Sequence, residues 1–339
     1  MTVCLKEVSM HIIYAADENY VRHLAASLMS AMDACQGAES LEFHVMSTGI
    51  TDDSKEKLRQ LAEKQGRSIA FYELGDLTKW FDFSFNTRGF AVSALTRLLM
   101  GRVLPEGVHR IIYLDCDTIV LRDLTSMWDT DMGDSPLGMV QEPTVNKKRR
   151  VYLGLPDDQP YYNSGVLLVN LDLWRSQQVE KQVLQYYESM HGDLVAPDQD
   201  ALNGALKERI YPLSPCYNHG SPQIFYSWRA LTRISSPTPY LQEEDYQRAV
   251  GQPAIVHYLG EQRPWRKGNA HPYEEAYQRY LGRTPWKDVP QEQGWQTYFR
   301  AFRLFNAVTK PFPVLRWRII DGLIPVFMAA REQARKRKG

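Results

Sequence analysis

Cysteine is scarce in this chain: four residues in 339, Cys4, Cys35, Cys116 and Cys216, with no C-x-x-C pair among them. Such spacing argues against a disulfide framework and against a thiolate zinc site, and it fits a reducing compartment. Long apolar runs are missing as well. No window of about 18 residues is continuously apolar, so no transmembrane helix is expected. The opening MTVCLKEVSM has no basic stretch leading into an apolar core. No secretory signal is therefore expected, and residues 1–9 read as a loose extension. Net charge is absent too, with 40 Lys and Arg against 40 Asp and Glu, so global electrostatics point to no partner. There is no G-x-G-x-x-G after a strand, no G-x-x-x-x-G-K-[ST], no H-E-x-x-H and no G-x-S-x-G. These absences weaken the dinucleotide, P-loop, zinc-protease and serine-hydrolase readings and leave a nucleotide or phosphate held by a metal and side chains.

What is present is a core. With 44% hydrophobic and 12% aromatic residues the chain can build one large domain plus appendages. HIIYAAD (11–17) reads as a strand ending in an acid, 19–35 as an amphipathic helix, 41–48 as a strand, 51–65 as a capped helix and 68–74 as a third strand. A helix over 93–105, closed by Pro105, leads into the strand RIIYLD. Such alternation predicts an α/β fold, a Rossmann-like, mostly parallel sheet with helices on both faces. In sheets of this kind ligands bind beyond the C-terminal strand ends. Later, 161–174 reads as a strand running into a Trp-anchored helix, 197–210 as a helix opened by Pro197 and two acids, and 254–265 as a short strand with a basic loop.

In RIIYLDCDTIV, Asp115 and Asp117 stand where a buried strand leaves the sheet, with Cys116 between them. Residues i and i+2 of an extended chain point the same way, so the two carboxylates repel unless a cation or donors lie between them. A hard divalent ion with oxygen ligands would resolve the conflict. Capping or turn formation at a strand end would also account for an isolated D-x-D.

The partners come from the rest of the chain. YAADENY, ALTRLLMGRVLP, IIYLDCDTIVLRDLTSMWDTDMGDSPLG, YYNSGVLLVNLDLWR, DQDALNG and HYLGEQRPW, in this order from about Met10 to Trp265, resemble glycosyltransferase family 8. These are retaining transferases typified by bacterial lipopolysaccharide galactosyl- and glucosyltransferases. The resemblance implies a catalytic domain over 10–270 that uses a UDP-hexose. It further implies Mn²⁺ (Mg²⁺ as the alternative) held by Asp115, Asp117 and His257. An imidazole beside two carboxylates suits Mn²⁺ better than Mg²⁺.

By the same resemblance, Ala15, Asp17, Asn19 and Tyr20 form a uridine-reading loop and Cys116 lies in the donor site. Arg97 faces sugar or phosphate, and Asn163, Ser164 and Gly165 approach the sugar. Asp198, Gln199 and Asp200 carry the catalytic region, and Gly260 and Arg263 clamp the diphosphate. Capping by Asp17 and Asp198, and a salt-bridging Arg97, stay open as structural readings. Glu261 and Gln262 depart from the small residues usual in the family, and Ala196-Pro197 departs from its usual aromatic and polar pair.

Two basic stretches remain. KKRRV (147–151) reads either as a solvated loop or as an anion contact on the acceptor side. Residues 271–339 read as a helical, basic and aromatic segment. Ten Lys and Arg face only Asp321 and Glu332 between Arg300 and Gly339, and the density of Phe, Trp, Leu and Ile suits an anionic membrane surface rather than nucleic acid. Pro311, Pro313 and Pro325 are expected to break the segment into short pieces. A helical subdomain packed on the body is the alternative.

These readings predict a UDP-hexose-dependent hexosyltransferase at the cytosolic face of the inner membrane, acting on a saccharide acceptor of the lipopolysaccharide-core kind. Two further classes stay open. One is a same-fold nucleotide-sugar enzyme with a protein or soluble-sugar acceptor, or a pyrophosphorylase; the other is a non-catalytic sugar-nucleotide-binding protein.

Overall fold

The computed structural model describes residues 9–37, 40–81 and 92–336. Cys4 and the expected N-terminal extension lie outside the described residues, except for Ser9. Nine strands are present among the described residues: β1 (Met10–Ala16), β2 (Leu41–Ser47), β3 (Ser68–Glu73), β4 (Arg110–Leu114), β5 (Thr118–Val120), β6 (Leu137–Gln141), β7 (Tyr162–Asn170), β8 (Ile210–Leu213) and β9 (Ile255–His257). Seven form one sheet in the order β3–β2–β1–β4–β7–β6–β8, while β5 and β9 form a separate antiparallel pair.

The expected parallel arrangement holds for β1 to β4. It is interrupted by β7, which runs antiparallel to both neighbours. This reversal matters for the site. Because β7 is reversed, its first residues lie at the same sheet edge as the last residues of β4, with Leu114 opposite Val166. The stretch Asn163–Gly165 is thereby brought beside Asp115.

Alternation with a period of two divides the strands between two cores. Ile12, Tyr14, Ile112 and Leu114 face one cluster, and Ile13, Ile111, Tyr113 and Leu167 face the other. The first is covered by the helices Val21–Ala34 and Asp52–Glu63, and the second includes the buried Trp174 that anchors helix Leu171–Ser176. Thr51 caps its helix as the sequence suggests, accepting from Ser54 N.

The 93–105 segment differs from the expected continuous helix. It is a 3-10 turn, Val92–Leu99, followed by one α-turn, Met100–Val103. The tighter winding sends Leu95, Leu98 and Leu99 into the core while Arg97 reaches the acid pair. Gly101 then lets the backbone pass the Trp174 indole, which a Cβ would meet at 2.6 Å.

Residues beyond 270 do not form a wholly separate unit. Helix Glu274–Leu281 places Tyr277, Tyr280 and Leu281 in the first core. After it come the helices Gln296–Thr309 and Pro313–Lys336. The expectation that prolines fragment this region holds at Pro311, which lies in the break between the two helices, and is corrected at Pro325. Pro313 starts the last helix, where its missing N–H costs nothing, and the helix continues through Pro325. That helix docks through specific bonds. Arg316 donates to the Tyr226 hydroxyl at 2.7 Å, Trp317 Nε1 to Thr144 O at 2.7 Å and Asn146 Nδ2 to Asp321 Oδ1 at 2.7 Å. Among the described residues no helix is long and apolar enough to cross a membrane.

Three buried histidines make the fold acid-sensitive. Burial lowers His44, His219 and His271 to about 4, with neighbouring histidines adding to the effect at His44 and His271. Between the unfolded value near 6.5 and the folded value the unfolded chain binds protons that the native state refuses, so stability falls as pH falls. Each group weakens the fold by about 1.4 kcal/mol per pH unit in that window. Urea midpoints measured from pH 7 to 4.5 are expected to decline steeply below about 6.5, and a His44→Asn variant to show a shallower decline. A flat profile would refute the assignment.

Candidate active site

Asp115 and Asp117 leave the end of β4 side by side, and Cys116 turns away from them. Its buried thiol donates to Ala15 O at 3.3 Å, and burial with the two adjacent carboxylates pushes its pKa up, so it offers no thiolate. The third member is positioned by the small second sheet, in which Thr118 pairs with His257. His257 Nε2 lies 3.2 Å from Asp117 Oδ1 and 3.8 Å from Asp115 Oδ2. One ligand atom from each of the three residues falls within 4.8 Å of the others.

The tautomer of His257 follows from its neighbours. Asn218 Nδ2 donates to Asn163 Oδ1 at 2.8 Å, an oxygen that also accepts from Gly165 N at 2.9 Å. Asn218 must therefore present its carbonyl oxygen to His257 Nδ1, 2.9 Å away. Nδ1 thus donates to Asn218, and Nε2 is turned toward the two carboxylates. Two carboxylates and an imidazole nitrogen converging in this way could hold a divalent metal, and the donor set suits one. Gly165 makes room for the arrangement, since a Cβ there would overlap the His257 ring. In this structure, then, the close approach at Gly165 is made by the histidine.

The charges around the pair are unequal. Asp115 Oδ1 accepts from Arg97 Nη2 at 2.8 Å and from the Tyr113 hydroxyl at 2.9 Å. Burial raises the Asp115 carboxyl, Arg97 opposes the rise, and Asp117 adds to it. Burial also works against Asp117, but Arg263 and His257 outweigh it and hold that carboxyl below its usual range. Arg263 reaches Asp117 Oδ2 at 2.7 Å and donates from Nε to Gly260 O at 2.9 Å. Gly260 has φ +71°, a value that favours glycine. Glu261, whose charge sat awkwardly in the expected diphosphate loop, is paired with Arg266.

Arg97 is buried and ties the site together, donating to Ser164 O, Asp115 and, at 3.1 Å, Asp198 Oδ2. Its ion pairs are buried ones, and the alternative of a surface salt bridge does not describe it. Asp17 caps the turn Glu18–Tyr20 through Tyr20 N at 3.1 Å. Asn19 is exposed, and Tyr20 is half-buried beside His23 at 5.4 Å between ring centroids.

The Pro197–Leu206 helix presents its first turn to β7. Ser164 Oγ donates to Asp198 Oδ2 at 2.9 Å, and Ser164 N donates to Gln199 Oε1 at 3.0 Å. Gln199 Nε2 donates to the Tyr161 hydroxyl at 3.0 Å, which fixes both ends of the amide. The Asp198 carboxylate does not cap this helix, whose N-cap is Ala196.

Asp200 departs from the catalytic expectation. Its carboxylate accepts from Val195 N, Ala196 N, the Tyr161 hydroxyl and both Nε and Nη2 of Arg149, and the residue is 1% exposed. It holds Tyr161 and Arg149 in place and offers no free oxygen. Arg149 belongs to the KKRRV run, which is neither a plain solvated loop nor a set of free cations. Arg150 is also buried, donating to Ser235 O at 3.2 Å, and Lys147 pairs with Asp157 at 2.6 Å.

Sequence reasoning missed Asn218, Tyr161 and Arg149. Tyr161 adjoins the N-S-G stretch and Arg149 lay in a charge run, but Asn218 had no signal beyond a polar Asn-His pair between apolar segments. An Asn218→Ala variant is expected to lose about 10–100-fold in metal affinity, the usual cost of removing the group that orients a ligand histidine. Metal titration followed by calorimetry would show it, and unchanged affinity would refute the role.

Comparison with known proteins agrees with this geometry. The sequence pattern of glycosyl transferase family 8 matches residues 11–268. General stress protein A of Bacillus subtilis (strain 168) is 29% identical over 288 residues, 84% of this chain and 97% of that protein. The lipopolysaccharide 1,2-glucosyltransferase of Escherichia coli (strain K12) is 23% identical over 82% of this chain and 79% of its own length. Among solved structures, the galactosyltransferase LgtC in complex with donor and acceptor sugar analogs superposes with a TM-score of 0.70 at 26% identity, covering 85% of this chain and 99% of LgtC. The matched segment contains the acid pair, the reversed β7 start, the Asp198–Asp200 turn and His257, and the chain is a glycosyltransferase belonging to glycosyl transferase family 8.

Proposed function

We propose that the protein transfers a hexose, galactose or glucose, from a UDP-sugar to a saccharide acceptor with retention at the anomeric carbon. The observation that carries the reading is the convergence of Asp115, Asp117 and Nε2 of His257, one strand away from Gln199. A divalent ion held by these three residues, Mn²⁺ by the chemistry of the donor set, would supply Lewis-acid stabilisation of the departing diphosphate.

The chain's own residues supply the rest. Arg263, already on Asp117, is placed to take part of the diphosphate charge, and its forked donors suit phosphate oxygens. Asp17, with one oxygen on Tyr20 N, would offer the other to a uracil N–H, and Tyr20 stands beside it in the same loop.

Retention requires a nucleophile beneath C1 or a same-face route in which the leaving phosphate helps deprotonate the acceptor. The two nearby carboxylates are engaged, Asp198 by Arg97 and Ser164 and Asp200 by five donors. Such an arrangement differs from the free carboxylate pair of glycosidases and favours the same-face route. Gln199, its amide oriented by Ser164 and Tyr161, would stabilise positive charge developing at C1. Asp198 would hold sugar hydroxyls, and Asp200 would position rather than react.

The acceptor we propose is a lipid-anchored saccharide of the lipopolysaccharide-core kind, as the Escherichia coli relative's name suggests, met at the cytosolic face of the inner membrane. Leu304, Val308, Phe312, Leu315, Val326 and Phe327 are exposed on the last two helices and their connection among Arg300, Arg303, Lys310 and Arg318, a composition suited to an anionic lipid surface. The test is UDP release from UDP-Gal and UDP-Glc without acceptor, with Mn²⁺, Mg²⁺ or EDTA. Metal-dependent release from one sugar supports the reading and names the hexose. If there is neither release nor calorimetric binding of UDP, the reading fails.

A further inference from the structure

Between the candidate site and the last two helices lies a cavity of about 620 Å³. Its inner end is shared with the site: Asn163, which supports Asn218, and Gly260 and Glu261 of the proposed diphosphate loop are among its walls. Its body is mostly apolar, with Phe302 and Phe305 contributed by one helix, Ile320 and Ile324 by the next, and Phe225 packed edge-on against Phe302 at 6.1 Å, while the wall carboxylates Glu142 and Asp321 are engaged by Thr144 and Asn146. Arg316 reaches the wall, but its guanidinium lies over the Phe225 ring and is committed to Tyr226 and Asn306, so it offers no open cation. The mouth is formed by Leu323 and Phe327, 42% and 54% exposed, which continue into the apolar ridge on the outer face of the same helices.

A cavity with this gradient does not suit a saccharide along its length. Hydroxyls set against Phe and Ile walls would lose their water without gaining partners. Nor does it suit a nucleotide diphosphate, since Arg316 is the wall's one arginine among the described residues and is already committed. Its size and lining are those of sites that take an apolar ligand oriented by a few polar groups at one end.

The geometry points to an acceptor that is an amphiphile: a saccharide carrying its own hydrocarbon chain, acyl or isoprenoid, which enters over Leu323 and Phe327 and lies in the cavity while the sugar reaches Asn163 and Gln199. The inference rests on the transferase reading and its lipid-anchored acceptor, and adds where the protein holds the hydrocarbon chain. The reactive hydroxyl then lies within a few sugar units of the chain, because the cavity begins where the site ends.

The test compares octyl with methyl β-galactosides and β-glucosides, each below its critical micelle concentration, by calorimetry in the presence of UDP and Mn²⁺. A buried methylene is worth about a fourfold gain in affinity. An octyl chain burying only three methylenes therefore binds about 50-fold more tightly than the methyl glycoside. Two variants keep the test independent of folding: Ala301→Trp fills the cavity from an exposed helical position, and Ile324→Asn makes its wall polar.

Both variants are expected to abolish the chain preference while leaving acceptor-free UDP-sugar hydrolysis within twofold of the parent. Equal binding of octyl and methyl glycosides by the parent protein overturns the inference. So does a preference that survives both variants, because the chain would then lie on the outer ridge. Absence of donor hydrolysis in the parent counts against the transferase reading alone, and the binding comparison still decides the cavity.

Discussion

Asp117→Asn is expected to lower metal-dependent donor hydrolysis and sugar transfer by about a thousandfold, the scale of losing one preorganised charge at a centre where negative charge develops. Asparagine has the same shape and can still accept from Arg263, which sits 2.7 Å from Asp117 Oδ2, and its NH₂ can turn toward His257. The fold should therefore survive with a modest loss of stability, since the charge that Arg263 and His257 hold in place has been removed. What it cannot do is bind a cation with the strength of a carboxylate. Calorimetric titration of UDP with and without Mn²⁺ separates the two effects: the variant should bind UDP equally in metal and in EDTA, whereas the parent should bind more tightly with metal. Hydrolysis within tenfold of the parent would remove Asp117 from the metal group. Asp115→Asn is a useful companion because Asp115 also anchors Arg97 and the Tyr113 hydroxyl, so it should cost stability as well as activity.

How much of this could be read from the sequence depends on whether a residue's role is set locally. The strand ends bearing Asp17 and Asp115 were legible because short β-branched and aromatic runs punctuated by acids are local signals. The order of elements was legible for the same reason. The reversal of β7 was not, because YYNSGVLLVN is equally apolar in either direction and only its neighbours β4 and β6 fix which end meets Asp115. The roles within the catalytic turn were not legible either. Asp198 and Asp200 are alike in sequence, but Asp200 falls where two backbone N–H groups and Arg149 converge, and Arg149 is 51 positions away. The basic run at 147–150 and Pro325 of the tail misled for a related reason. Charge and Pro carry weak information about burial once a tertiary partner exists, as Arg316 against Tyr226 and the helix running through Pro325 both show. Asn218 acts through His257 and has no signature of its own.

Gly165→Ala is the second large effect, and it tests the site through the histidine for which the glycine makes room. The added methyl would overlap Cε1 and Nδ1 of His257 and come within 3.0 Å of Asp115 Oδ2. The backbone cannot yield, because Gly165 N is bonded to Asn163 Oδ1 at 2.9 Å and Gly165 O accepts from Asp115 N at 2.8 Å within a central strand. The imidazole must move instead, breaking its bond to Asn218 and turning Nε2 away from the carboxylates. Metal affinity should fall by about 100-fold or more, as for loss of ligand orientation, and overpacking should cost about 1–3 kcal/mol of stability. A double variant distinguishes these causes. Adding His257→Ala removes the ring that the methyl strikes, so the stability cost of Gly165→Ala should largely vanish in that background while metal binding stays lost, a coupling that a double-mutant cycle reads directly. If Gly165→Ala alone retains parental metal affinity and turnover, His257 is not held where the structure places it. If the stability cost is the same with and without His257, the strain lies in the strand itself rather than in the metal group.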